Sequence, residues 1–105
     1  MTALTSSNPR YGVAFARTAA ADIVARYQAG DLEPSTRGVV DRYREVCFAM
    51  GAASRQIIDD AVRLAVEKWT EAVRRHDTEA EAHWLAAASS MLAGYQLGAG
   101  KTAAV

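Results

Sequence analysis

This chain is short of most of the residues that announce a function. It has one cysteine, Cys47, among 105 residues. No intrachain disulfide can form, and a reducing, cytoplasmic setting is expected. There are two prolines, Pro9 and Pro34, and two histidines, His76 and His83. So few histidines leave no Ser/His/Asp arrangement to argue, and neither one has a nucleophile close by in sequence. Neither sign of charge is in excess: 12 basic residues face 12 acidic ones. That balance argues against a general nucleic-acid binder, which carries a basic patch or a high pI. The N-terminal residues show no basic region followed by an apolar run, so no signal peptide is expected. The longest uncharged run, residues 82–100, holds His83, two serines, Gln96 and three glycines. It reads as a buried helix and not as a membrane span.

What the chain has is alanine and helical periodicity. Half of its residues are hydrophobic and 8% are aromatic. Strand-type alternation is nearly absent. Alanine is the best helix former and lets helices approach closely. The expected fold is all-α: a small antiparallel four-helix bundle, up-down-up-down, which a second copy could complete by dimerisation. The expected organisation is a flexible N-terminus over residues 1–8, one helical domain over 9–97, and a flexible tail over 98–105.

The strongest stripe lies in residues 54–76: Ile58, Val62, Ala65, Trp69, Ala72 and His76, spaced alternately four and three apart. A flanking row, Ile57, Ala61 and Leu64, is expected to widen its buried face. The first helix is expected to start at Asn8-Pro9 and stop at Gly30, with Val13, Ala16, Ala20, Ile23 and Tyr27 facing inward. The second should be capped by Ser35 or Thr36 and end near Gly51, and Ser54 should cap the third. Between the third and fourth helices no glycine or proline marks a boundary, but the charge sign reverses. Arg74, Arg75 and His76 come first, then Asp77, Glu79 and Glu81, as the macrodipoles of one helix ending and another starting would favour. Thr78 and Glu81 have capping-box spacing. The apolar row also slips, to Trp84, Ala88, Met91 and Tyr95 with Leu85 and Leu92 alongside, and the fourth helix is expected to end near Leu97.

Motifs that carry chemistry are few. Gly98-Ala99-Gly100-Lys101-Thr102 resembles part of a phosphate loop, but position 95 is Tyr and no strand leads in, so no nucleotide site is expected. The two histidines are not paired on one helical face, and no metal or cofactor is expected. Cys47 falls on an apolar stripe and reads as a buried hydrophobe. No catalytic residue is assigned.

Two functional readings remain. The fourth helix has no charge between Glu81 and Lys101, and small residues surround it. It is either central in the fold or packed against a partner. The leading expectation is a small non-enzymatic protein–protein interaction module, a homodimer or an adaptor or regulator, using Ala87, Ser90, Met91, Gly94 and Tyr95. The alternative partner is DNA. Gly51, with Cys47 before it and Ile57 after it, has helix-turn-helix spacing, which would let Ser54, Arg55 and Gln56 open a recognition helix. Asp59 and Asp60, placed where phosphates would lie, weigh against it.

Overall fold

The computed structural model describes residues 13–103, with side chains as far as Ala99. Every regular element among them is helical: α1 Val13–Ala29, α2 Pro34–Met50, α3 Ala53–Arg74 and α4 Thr78–Ala103. The expected start at Asn8-Pro9 lies outside the described residues.

The ends of the helices follow from local chemistry. At the end of α1, Gly30 has φ +76°. Its N–H donates to Tyr27 O at 3.1 Å, and the Asp31 N–H donates to Arg26 O at 2.9 Å. These two bonds make a Schellman stop. Neither Ser35 nor Thr36 caps α2. Pro34 is its first residue and Glu33 makes no side-chain cap. Proline suits that position because its missing N–H would have no partner there and its φ is already helical. At Gly51 (φ +61°, ψ −134°) the backbone enters a region that a side chain would disfavour. Ser54 is not a cap either. It lies inside the first turn of α3, where its hydroxyl donates to Gly51 O at 2.7 Å.

The break between α3 and α4 falls where the charge reversal places it. The His76 N–H donates to Val73 O at 3.1 Å and the Asp77 N–H to Ala72 O at 2.9 Å. This is a second Schellman stop, with His76 at the left-handed position (φ +57°) where glycine is usual. The cap of α4 is Asp77, one residue before the expected Thr78, and its Oδ1 accepts the Ala80 N–H at 3.2 Å. The aspartate side chain one residue earlier reaches the free N–H groups directly.

Packing makes α4 the hub. It lies against α1, α2 and α3, while α2 and α3 touch each other little, as do α1 and α3. At 1.5 Å per residue its 26 residues span ~39 Å. It continues past the expected end at Leu97 to Ala103, so the backbone of the phosphate-loop-like segment is helical as far as it is described. Of the residues facing its neighbours, Ala88, Ser89, Ser90, Met91 and Ala93 are all buried. The stripe of α3 is buried as expected through Ile58, Val62, Ala65, Trp69 and Ala72. Phe15 of α1 stacks on Trp69 at 5.5 Å between ring centres. Only Ala61 of the flanking row is partly buried against the core, while Ile57 is 50% exposed and Leu64 54%. The reason is that α3 packs mainly on one neighbour, and one neighbour covers one stripe.

The closest approach is between α4 and α2. A β-carbon built on Gly94 would lie 2.6 Å from Tyr43 Cβ and 2.9 Å from Val40 O. One built on Gly98 would lie 2.7 Å from both Arg44 O and Cys47 Cβ. Two of the obstacles are backbone oxygens, which cannot swing aside. By contrast, a β-carbon added to Gly38 inside α2 would meet no atom within 4 Å. Gly38→Ala should therefore raise stability by about 0.5–1 kcal/mol, the ordinary helix-interior gain. Gly94→Ala and Gly98→Ala should lower it by about 1–3 kcal/mol through overpacking. Urea melts of the three variants check the opposite signs. His76→Gly should also be stabilising, by about 0.5–1 kcal/mol, because relief of the left-handed penalty exceeds the added chain entropy. A lowered urea midpoint in that variant would refute this account of the joint.

Candidate functional site

Where α2 and α4 diverge from their close contact, an open groove of ≈ 380 Å³ remains between them. The contacts that frame it advance in step along both helices. Thr36 and Val39 share the groove with Trp84 and Ala87. Further on, Val40 and Tyr43 meet Gly94, and Arg44 and Cys47 meet Gly98. The groove lies toward the Thr36 end, where Trp84 and Met91 stand on α4 in place of the glycines that admit the α2 backbone further on. Its walls are Val39 and Tyr43 on one side and Trp84, Ala87 and Met91 on the other, with Ser35 and His83 at the rim. The His83 ring meets Trp84 edge-on at 4.8 Å.

Ser90 forms part of the groove lining and is 2% exposed. Its neighbour Ser89 donates to Leu85 O at 2.6 Å, the usual back-bond of a helical serine. The Ser90 hydroxyl makes no hydrogen bond among the described residues, and its oxygen is not sealed off from solvent. It is an unpaired hydroxyl on a nearly buried residue of the groove lining.

The residues expected to bind a partner divide accordingly. Ala87, Ser90 and Met91 line the groove. Gly94 lies beneath α2 against Val40 and Tyr43. Tyr95 is half-buried and packs against the main core cluster. Val39, Tyr43 and Trp84 complete the groove, and the sequence does not single them out as site residues. Of these, exposed Val39 beside buried Val40 is the one signal a sequence reading could use, since two adjacent valines cannot both face one core.

The residues of the DNA reading are placed differently. Ser54 is fully buried and donates to the Gly51 carbonyl, so it cannot face a base. Arg55 and Gln56 are exposed. Gln56 Nε2 donates to Asp60 Oδ1 at 2.9 Å, and Arg63 stands 3.7 Å from the same oxygen. The start of α3 thus mixes both charge signs. Cys47 is buried in the main core cluster, as expected from its stripe. Among the described residues no group of three or more His, Cys, Asp or Glu could hold a metal ion, and no helix is long and apolar enough to cross a membrane. Comparison with known proteins gives no matching family model and no similar curated protein or solved structure.

One polar assembly fastens α1 to α2 beside a small core cluster of Ala20, Val40 and Ala93. The Tyr27 hydroxyl donates to Asp41 Oδ1. The Arg37 guanidinium lies 5.5 Å above the Tyr27 ring and 4.0 Å from the Asp41 carboxylate. The hydrogen bond to Asp41, and then burial, raise the Tyr27 pKa above its ordinary 10.0. A raised folded-state value means that Tyr27 favours the fold at pH below 10. That contribution is lost as pH climbs through the folded-state value. Tyr27→Phe should therefore be less stable than the parent at pH 8, and the gap should narrow above pH 10. A gap that stays constant across that range would exclude the linkage.

Proposed function

We propose that the protein is a small non-enzymatic interaction module that recognises a protein partner through the open side of its C-terminal helix. The observation that supports this reading is the groove between α2 and α4. It is largely apolar, free of Asp, Glu, Lys and Arg, and built on two helices, and three of the residues expected to bind a partner line it. Recognition sites of this kind carry an apolar centre and few charges. Among the described residues, His83 makes no hydrogen bond to Ser35, Thr36 or Ser90, so the groove presents no nucleophile paired with a base.

The reading keeps an up-down-up-down course, in which the second and fourth helices share a direction, as the stepwise contacts of α2 and α4 do. A second copy or a different protein would cover the groove and complete the bundle. Val39, 38% exposed on one wall, gives the means to test it. Sedimentation equilibrium at high micromolar concentration should show a species heavier than the 11.3 kDa chain. Val39→Glu should weaken that association at least tenfold by burying an unpaired charge, with little effect on helicity. A strict monomer would remove the homodimer and leave the adaptor.

A further inference from the structure

The lining of the groove narrows the chemistry of what fills it. The walls supply Val39, Tyr43, Trp84 and Met91, which favour an aromatic body. No carboxylate, lysine or arginine lines this space, and the one titratable ring, His83, stands at the rim, so a charged group seated beside Ser90 would lose water without gaining an opposite charge. The lining also presents the hydroxyl of Ser90, a residue only 2% exposed. It has no hydrogen-bond partner among the described residues, whereas Ser89 beside it is satisfied. A serine hydroxyl both donates and accepts. An occupant that leaves it unmatched forfeits a buried hydrogen bond, and one with a neutral polar tip gains it.

Resting on the reading of this groove as a partner site, we infer that its occupant is a tyrosine side chain of a partner protein, with the phenol ring between Trp84 and Val39 and the phenol oxygen on Ser90 Oγ. Tyrosine has the required form, a flat apolar body ending in an uncharged group that can donate or accept. Leucine and phenylalanine have no polar tip, and glutamate and lysine carry charge.

The test uses 4-ethylphenol, the tyrosine side chain in free form, added to the isotopically labelled full chain and followed by NMR. The expected result is saturating shifts at the amides of Val39, Ala87, Ser90 and Met91. Affinity should fall roughly 2- to 10-fold in Ser90→Ala, the range a lost hydrogen bond gives. 4-Ethylbenzoate, of the same shape but charged, should produce no saturation. Ala87→Leu, which narrows the groove and leaves the Ser90 side chain unaltered, should abolish phenol binding while keeping the helical spectrum. Absence of saturation by 4-ethylphenol, equal affinity in Ser90→Ala, or equal affinity for 4-ethylbenzoate would each overturn the tyrosine assignment. Sedimentation reports separately on the module reading, so association of the parent chain without saturable phenol binding rejects the tyrosine anchor and leaves the module reading in place.

Discussion

Everything in this fold depends on how closely the backbones of α2 and α4 approach at Gly94 and Gly98. Glycine at those two places lets Val40 O and Arg44 O come within a distance that a β-carbon would forbid. The approach fixes the register of the two helices and draws α2 in along one end of α4. It also creates the groove at the other end, where Trp84 and Met91 do not permit the same closeness. Tight contact and open groove are thus two consequences of one gradient in side-chain size along α4.

An alanine-rich core follows from the same constraint. Ala16, Ala20, Ala88 and Ala93 are fully buried, and each buries little area, so stabilisation must come from many close contacts in place of a few large side chains. Trp69, on which Phe15 stacks, is the largest of the fully buried side chains, followed by Ile58 and Val40. The surface ion pairs, Asp22 with Arg26 and Asp60 with Arg63, are exposed pairs within single helices. Pairs of that kind contribute a few tenths of a kcal/mol.

Much of this was legible in the sequence, and the exceptions share a cause. The stripe of α3, the Gly30 and Gly51 stops and the break at Asp77 are encoded within a turn or two of chain, where periodicity and capping chemistry act. Helix four reads correctly as a helix with no ordinary wet face, but sequence alone leaves two explanations, a central place or a partner. The structure gives it the central place, with α1, α2 and α3 against it. The exposure of Ile57 and Leu64 is hidden for a related reason. A stripe shows which residues prefer burial, while the number of neighbours decides how many of them obtain it. Gly98 looks like the beginning of a tail because glycine ends helices more often than it admits a neighbour. Only the position of Arg44 distinguishes the two roles.

The central place of α4 has a bearing on biosynthesis. α1, α2 and α3 precede α4 in the chain and have little to pack on except it. While α4 is still inside the ribosome, the apolar stripe of α3 and the small-residue faces of α1 and α2 have no lasting cover. Most long-range contacts must then form in one late step and not accumulate helix by helix. During that interval the nascent chain presents its core to the surrounding solution and depends on rapid closure, or on a holding chaperone, to avoid association through the wrong surface.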